Sequence, residues 1–188
     1  MKYATALGML TLCSVLAACG NDSDRHSITR GTDIHLSSGS IRSENGQISL
    51  SISEAPDATI SAQGELTINQ QAVAVDPASR DLLKSYYQNA IAVHADGMAT
   101  AKAGEDVGEQ ALESVKQAIN SGHSDQIQQQ IEAKAQVLKE TALKVCQDLG
   151  NIQSAQDQLA TQLPAFKPYG HMVTADDVSD CRNDIHVR

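Results

Sequence analysis

The first part of the chain alternates apolar and polar residues in short runs separated by turn residues. The clearest run is 47–53, in which Ile48, Leu50 and Ile52 fall on one face and Gln47 and serines on the other. Asn45-Gly46 stands directly before it, and this dipeptide is the strongest short signal for a β-hairpin. Residues 29–76 are therefore predicted to form an antiparallel β-meander of five or six short strands with one apolar face.

Similar runs predict the other strands, and turn-forming residues predict their connections. The strand signals are Asp33–Leu36, the neighbours of Ile41, Thr59–Ser61, Leu66–Ile68 and Val73–Val75, and the turn signals are Pro56-Asp57, Gly64 and Asn69-Gln70. A sheet with one apolar face has to cover it with a second layer. The helices that follow are expected to supply this layer.

Beyond position 76 the apolar spacing becomes helical. Asp76-Pro77 combines an N-cap acid with proline at the first helical position. The pattern predicts a helix from Pro77 to about Asp96, an interruption at Gly97 and a second helical stretch from about Met98 to Asn120. Glycines within 97–108 leave open that part of this stretch is a loop.

The third helical stretch has a seven-residue apolar period. The residues at this spacing are Ile131, Leu138, Val145, Ile152, Leu159 and Phe166, and Gln156 is the one polar residue in the companion positions. We predict one helix from about Ser124 to Leu163, with a break at Gly150 as the alternative. Such a period implies a supercoiled partner, and the short turn at 121–123 makes the preceding helix the nearest candidate. Residues 77–168 are thus expected to contain a long antiparallel helical hairpin, followed by a tail over 169–188.

The N-terminal segment has the pattern of an export signal. Lys2 precedes an apolar run over 4–18 that is too short to span a bilayer. Leu16-Ala17-Ala18-Cys19 resembles the lipobox of bacterial lipoproteins, which implies removal of residues 1–18 and lipid attachment to Cys19. Residues 19–28 are then a flexible tether. Gly20 lacks the acidic side chain that favours inner-membrane retention, so by analogy we expect the periplasmic face of the outer membrane.

Two cysteines remain after Cys13 leaves with the signal and Cys19 is acylated. Cys146 and Cys181 form an even pair in an oxidising compartment, which favours a disulfide over two buried free thiols. The chain has no Trp and one Phe, so its core is expected to be aliphatic and a broad aromatic-lined pocket is disfavoured.

Charge and motifs exclude several classes of function. The net charge of −9 argues against binding to nucleic acid or to an anionic membrane surface. No nucleophile, phosphate-binding or cofactor motif is present, so no catalytic residue and no cofactor are predicted. Oxygen and imidazole groups gather in the tail, at His171, Asp176, Asp177, Asp180, Asp184 and His186. Their spacing matches no known metal motif, and a solvated acidic tail is the preferred interpretation.

Three segments resemble a known family. They are Gly64-Glu65-Leu66-Thr67-Ile68-Asn69, Val73-Ala74-Val75 and Arg80-Asp81-Leu82-Leu83-Lys84-Ser85-Tyr86-Tyr87. They look like the YggN-like envelope proteins of proteobacteria, in which short β repeats lead into a helix that begins R-x-L-L-x-x-Y. The similarity covers about residues 30–150, while the lipobox departs from many relatives, which look like soluble periplasmic proteins. The family has no established activity, so the resemblance implies compartment and architecture only.

Together these features predict an α+β protein, with an N-terminal antiparallel β-meander followed by a helix and a long helical hairpin. The expected function is that of a non-catalytic envelope lipoprotein, anchored through Cys19, whose hairpin binds or scaffolds another envelope protein. The alternative is a periplasmic module that binds a small apolar or lipidic ligand between sheet and helices.

The lipid anchor is directly testable. Cys19→Ser should move the protein out of the membrane fraction, because the acyl chains and not the acidic domain hold it there. Cell fractionation followed by immunoblotting measures this, with Cys13→Ser as the matched control that leaves the distribution unchanged. Membrane association that survives Cys19→Ser would contradict the assignment.

Overall fold

A seven-stranded antiparallel sheet and three α-helices make up the computed structural model, which describes residues 29–30, 33–121 and 125–186. Each strand pairs with its neighbours in chain order, so the sheet is an up-and-down meander. The strands are β1 (Thr29–Arg30), β2 (Asp33–Leu36), β3 (Gly39–Glu44), β4 (Gln47–Ile52), β5 (Ala55–Ser61), β6 (Leu66–Ile68) and β7 (Gln71–Val73). This confirms the predicted α+β class.

Two tight turns set the pairing of the hairpins. Asn45 and Gly46 have φ of 52° and 73°, and Asn69 and Gln70 have φ of 49° and 62°. Positive φ at both central residues is the conformation that matches the twist of paired strands. The predicted turns at both places are confirmed.

The predicted turn at Pro56-Asp57 is wrong, because both residues lie inside β5. Ala55 and Ala58 pair with Ile52 and Leu50, so Pro56 and Asp57 both lie opposite the single residue Ser51. This is a β-bulge, one of the few places where a sheet accepts a proline.

The first helix, α1, runs without interruption over Pro77–Ser121. Asp76 caps it: one carboxylate oxygen accepts the backbone N–H groups of Ala78 and Ser79 at 2.9 and 3.0 Å, and the other accepts the Ser79 hydroxyl at 2.6 Å. These hydrogen bonds hold the pKa of the Asp76 carboxyl below its usual value. The predicted interruption at Gly97 is wrong, because a buried glycine that costs about 1 kcal/mol is offset by helix packing on either side of it.

The second helix, α2, covers Asp125–Gln162 and passes through Gly150 unbroken, which confirms the preferred interpretation over a break. It runs antiparallel to α1, as bonds from Lys144 to Asp96 (2.6 Å) and from Asn151 to Asn89 (2.9 Å) show.

The C-terminal tail is more ordered than the sequence predicted. A 3₁₀ turn over Pro164–Tyr169 follows α2, and α3 covers Ala175–His186. The backbone N–H of Thr174 donates to the Asp177 carboxylate at 2.8 Å, and that of Asp177 donates to the Thr174 hydroxyl at 3.2 Å. This reciprocal cap starts α3 and buries Asp177, so the expected solvated acidic tail is wrong for Asp177, whereas Asp176, Asp180 and Asp184 are exposed as expected.

The predicted cysteine pair joins α3 to α2. The Sγ atoms of Cys146 and Cys181 lie 1.98 Å apart, at disulfide distance. Val178 lies over Gly150, and with the cysteine pair this shows that α3 runs antiparallel along α2. In the chain-entropy view, closing this loop contributes about 3 to 4 kcal/mol.

The apolar face of the sheet is covered by the first half of α1 and by the segment after α2. Buried residues of the sheet are Ile34, Ile41, Ile48, Leu50, Ala58, Ile60 and Leu66, and those of α1 include Leu83, Tyr86, Ala90 and Val93. Phe166 lies edge-on to Tyr86, with ring centres 6.0 Å apart. The Tyr169 hydroxyl donates to the Pro56 carbonyl of β5 at 2.5 Å, so the 3₁₀ turn contacts the sheet directly.

Gln156 is a fully buried polar side chain on α2. Its Nε2 donates to the carbonyls of Gly170 and Val173 at 3.0 and 2.9 Å, and its Oε1 accepts the Val173 N–H at 3.0 Å. The one polar residue in the apolar stripe of α2 therefore provides hydrogen-bond partners for buried backbone groups of the segment that follows α2.

Replacement of Gln156 by leucine should destabilise the fold strongly. It leaves three buried backbone groups without a partner, at about 1 to 3 kcal/mol each for the groups that water cannot reach. Urea unfolding followed by circular dichroism measures the loss. Gln158→Leu is the matched control, because Gln158 is exposed and its side-chain amide donates to Ser154 on its own helix. Equal stability of the two variants would refute the role of Gln156.

Candidate interaction surface on the helical hairpin

Burial divides the α1–α2 hairpin into two halves. Within the described side chains, α1 is buried only between residues 79 and 97, and α2 only from 145 onwards. We call residues 98–121 and 125–144 the distal hairpin. Its α1 part extends about 36 Å beyond the body at 1.5 Å per residue. The seven-residue stripe is thus covered at Val145 and beyond but only half-buried at Ile131 and Leu138.

All the exposed large apolar side chains of the described residues lie on or at the base of the distal hairpin. They are Met98 (50% exposed), Leu112 (62%), Val137 (62%) and Leu143 (37%). Single exposed apolar residues are ordinary on protein surfaces, but their concentration in one projecting element is typical of an interaction site.

An apolar groove of about 470 Å³ lies between the two helices of the distal hairpin. We call it the hairpin groove; its apolar lining is Ala99, Ala103 and Val107 from α1 and Ala133, Val137 and Leu138 from α2, with Thr100, Asp106, Lys134 and Thr141 among them. Small side chains on both walls make it a shallow channel along the helix axes.

The hairpin groove opens on the side of the hairpin that faces away from the sheet. Tyr87 marks the sheet side of α1, because its hydroxyl donates to the Gly46 carbonyl at 3.1 Å. Ala103 follows about four and a half helical turns later and so lies nearly opposite. The sheet therefore does not cover the groove.

Met98 and Leu112 occupy the other side of the distal hairpin. Leu112 follows Ala103 by about two and a half turns, which places it on the opposite side of α1. Met98 precedes Leu112 by about four turns and shares its side. We call this side the Met98–Leu112 face. The distal hairpin thus offers two separate surfaces.

A cluster of polar side chains lies at the junction between the body and the distal hairpin. Asp96 and Lys144 form an ion pair of 2.6 Å there. Nearby on the helices, His94 Nδ1, Thr100 Oγ1 and Asp148 Oδ2 are buried without a hydrogen-bond partner among the described residues. Burial raises the pKa of the Asp148 carboxyl, the charge of Lys144 opposes this shift, and the charge of Asp96 adds to it.

The structure does not bring the acidic and imidazole groups of the tail together as a site. Asp177 caps α3, whereas His171, Asp176, Asp180 and Asp184 are exposed. Among the described residues, no group of three or more His, Cys, Asp or Glu side chains is arranged to hold a metal ion. Cys19 and the predicted signal and tether up to residue 28 lie outside the described residues.

No helix in the described part of the chain has the length and hydrophobicity needed to cross a membrane. Comparison of the chain with protein-family models, with curated proteins and with solved structures gave no match. The resemblance to the YggN-like family therefore stays a prediction.

Asp148 should make stability depend on pH. Its folded pKa is raised, so the native state holds this proton more tightly than the unfolded chain, and stability falls as pH rises from the ordinary Asp value through the raised one. Asp148→Asn should therefore raise the melting temperature at pH 7, with a gain that shrinks towards pH 3. Thermal melts at both pH values measure this.

Asp157→Asn provides the control for this series, since Asp157 is an exposed carboxylate on the same helix. A pH-independent effect of Asp148→Asn, or a loss of stability at pH 7, would contradict the raised pKa of Asp148 in the folded state.

Proposed function

We propose that this chain is a non-catalytic lipoprotein of the bacterial cell envelope, and that its distal hairpin binds another envelope component. The observation that carries the proposal is the position of the exposed apolar side chains on one projecting element. A helical element that extends about 36 Å from a folded body suits contact at a distance better than chemistry in a cleft.

Two features support the envelope location. Lipid on Cys19 with the tether up to residue 28 would place the body within about 33 Å of the membrane, since an extended chain spans about 3.3 Å per residue. The Cys146–Cys181 pair at disulfide distance suits an oxidising compartment such as the periplasm. We place the protein at the periplasmic face of the outer membrane.

The Met98–Leu112 face is the surface that we assign to the envelope partner. Its two large side chains are 50% and 62% exposed and stand about 21 Å apart along the helix. Glu105 lies midway between them on the same side of α1, and Glu109 and Glu113 follow near Leu112. Two apolar contacts with acidic residues between and beside them suit a partner surface on which apolar and basic groups alternate.

The alternative function, binding of a small apolar or lipidic ligand, has less support. The space between sheet and helices is filled by side chains such as Ile48, Ile60 and Leu83, each 0% exposed. The hairpin groove has a volume in the range of small-molecule sites, which are about 300 to 1,000 Å³. A ligand would therefore bind in this groove and not between sheet and helices, where it was expected.

Site-specific photocrosslinking in intact cells tests the assignment of the partner surface. A photoreactive residue at position 98 should give one adduct of defined mass, because the partner covers this face. Leu112→Glu should reduce that adduct several-fold, because it replaces one of the two apolar contacts of this face by a charge. Gln158→Glu is the control: it adds the same charge to an exposed position of α2 in the body, away from the distal hairpin.

A photoreactive residue at Glu54, in the exposed turn between β4 and β5, reports background contacts. The proposal is contradicted if positions 54 and 98 give the same adducts. It is also contradicted if Leu112→Glu leaves the adduct from position 98 unchanged.

A further inference from the structure

The residues on the two walls of the hairpin groove lie in pairs, each pair at the same height along the helix axes. The bonds from Lys144 to Asp96 and from Asn151 to Asn89 fix the antiparallel alignment of α1 and α2. In this alignment Thr141 is level with Ala99, Val137 with Ala103, and Ala133 with Val107. At each level one wall therefore carries the smaller side chain and the other the larger one.

We propose that the hairpin groove is the docking surface for a second copy of this chain. The two copies are related by a twofold axis parallel to the helices, and the four helices of the two distal hairpins form one bundle. Each α1 then lies against the α2 of the other copy, and both hairpin tips point in the same direction. This inference goes beyond the proposed function and uses the opposite side of the hairpin.

Side-chain size favours this arrangement. A twofold axis along the helices keeps every residue at its own level, so Val137 of one copy meets Ala103 of the other, and Val107 meets Ala133. Alternation of large and small residues around each layer is the pattern that fills the core of a four-helix bundle. Val137, a groove residue that is 62% exposed in the single chain, becomes buried.

Charge favours the same arrangement. Asp106 on the α1 wall is level with Lys134 on the α2 wall, so the docked copies bring each Asp106 opposite a Lys134 of the other copy. Within its own chain Lys134 donates to the neutral Gln110 side chain. Among the described side chains Asp106 forms no ion pair. Two complementary contacts are thus available per dimer.

The other possible twofold arrangement is disfavoured by the same charges. An axis perpendicular to the helices lays α1 against α1 and α2 against α2, which sets the wall with Asp106 against the same wall of the other copy and the wall with Lys134 against its counterpart. Like charges across an interface are destabilising. If Cys19 carries lipid, as proposed above, both copies also start from the same membrane, which suits hairpins that point the same way.

The available area is sufficient for a stable dimer. A strip about 36 Å long and about two helix diameters wide has an area of about 700 Å² per copy, close to the 800 Å² of a standard interface. The sheet packs on the opposite side of the hairpin, so it does not obstruct the second copy.

Charge reversal in the full chain, purified in mild detergent, tests the contact. Sedimentation should show a dimer. Asp106→Lys and Lys134→Asp should each weaken it at least tenfold, because each places like charges opposite one another, and the double variant should restore it. Circular dichroism controls for folding. A wild-type chain that stays monomeric up to about 0.1 mM, or a double variant weaker than both single ones, would overturn the proposal.

Cysteine crosslinking tests the geometry. Two differently tagged chains, one with Ala103→Cys and one with Val137→Cys, should form a disulfide-linked heterodimer when expressed together, and neither variant should link to itself. Self-linking of the Ala103→Cys chain would overturn the parallel arrangement. Loss of the dimer in Asp106→Lys with an unchanged adduct from position 98 would separate this inference from the proposed function, since the two use opposite sides of the hairpin.

Discussion

The hydrogen bonds of the Gln156 side chain hold the segment that follows α2 against that helix. They fix the backbone of Gly170 and Val173 against α2 and so keep Phe166, Tyr169 and Met172 in the core beneath the sheet. A leucine at this position would extend the apolar stripe but could not satisfy these backbone groups. The cysteine pair acts on the same segment from the other side, by holding α3 to α2. The body is therefore closed at its C-terminal side by one amide and one covalent link.

This closure explains how the hairpin can project. The first half of α1 and the second half of α2 are fixed in the body by the sheet, the 3₁₀ turn and α3. No described side chain of the distal halves is fully buried, so packing within the body supports a pair of helices that would be marginal in isolation. The polar group at Asp96, Lys144 and Asp148 lies where the two halves meet. Polar contacts of this kind cost stability but select one alignment of two helices, here the alignment that makes the groove walls level.

Local signals predicted most of the fold, and they failed where tertiary context decided. Asn45-Gly46 predicted its hairpin because the turn conformation depends on those two residues alone. Gly97 and Pro56 are breakers by local preference, yet packing carries α1 through the glycine and a bulge accommodates the proline. The cap of α3 was detectable in Thr174 and Asp177, but the short helix has too little apolar periodicity to indicate where it packs.

The candidate surface was only partly predictable, for a reason that the seven-residue stripe makes clear. Leu138 and Val145 occupy the same phase of α2, but the first is half-buried and the second buried, because the body ends between them. A periodic pattern shows that a face needs a partner and cannot show whether its own chain supplies enough cover. In the body, the sheet and the C-terminal turn complete the cover. In the distal hairpin each helix has one neighbour where a bundle needs two, and this shortfall connects the exposed apolar residues to association with other chains.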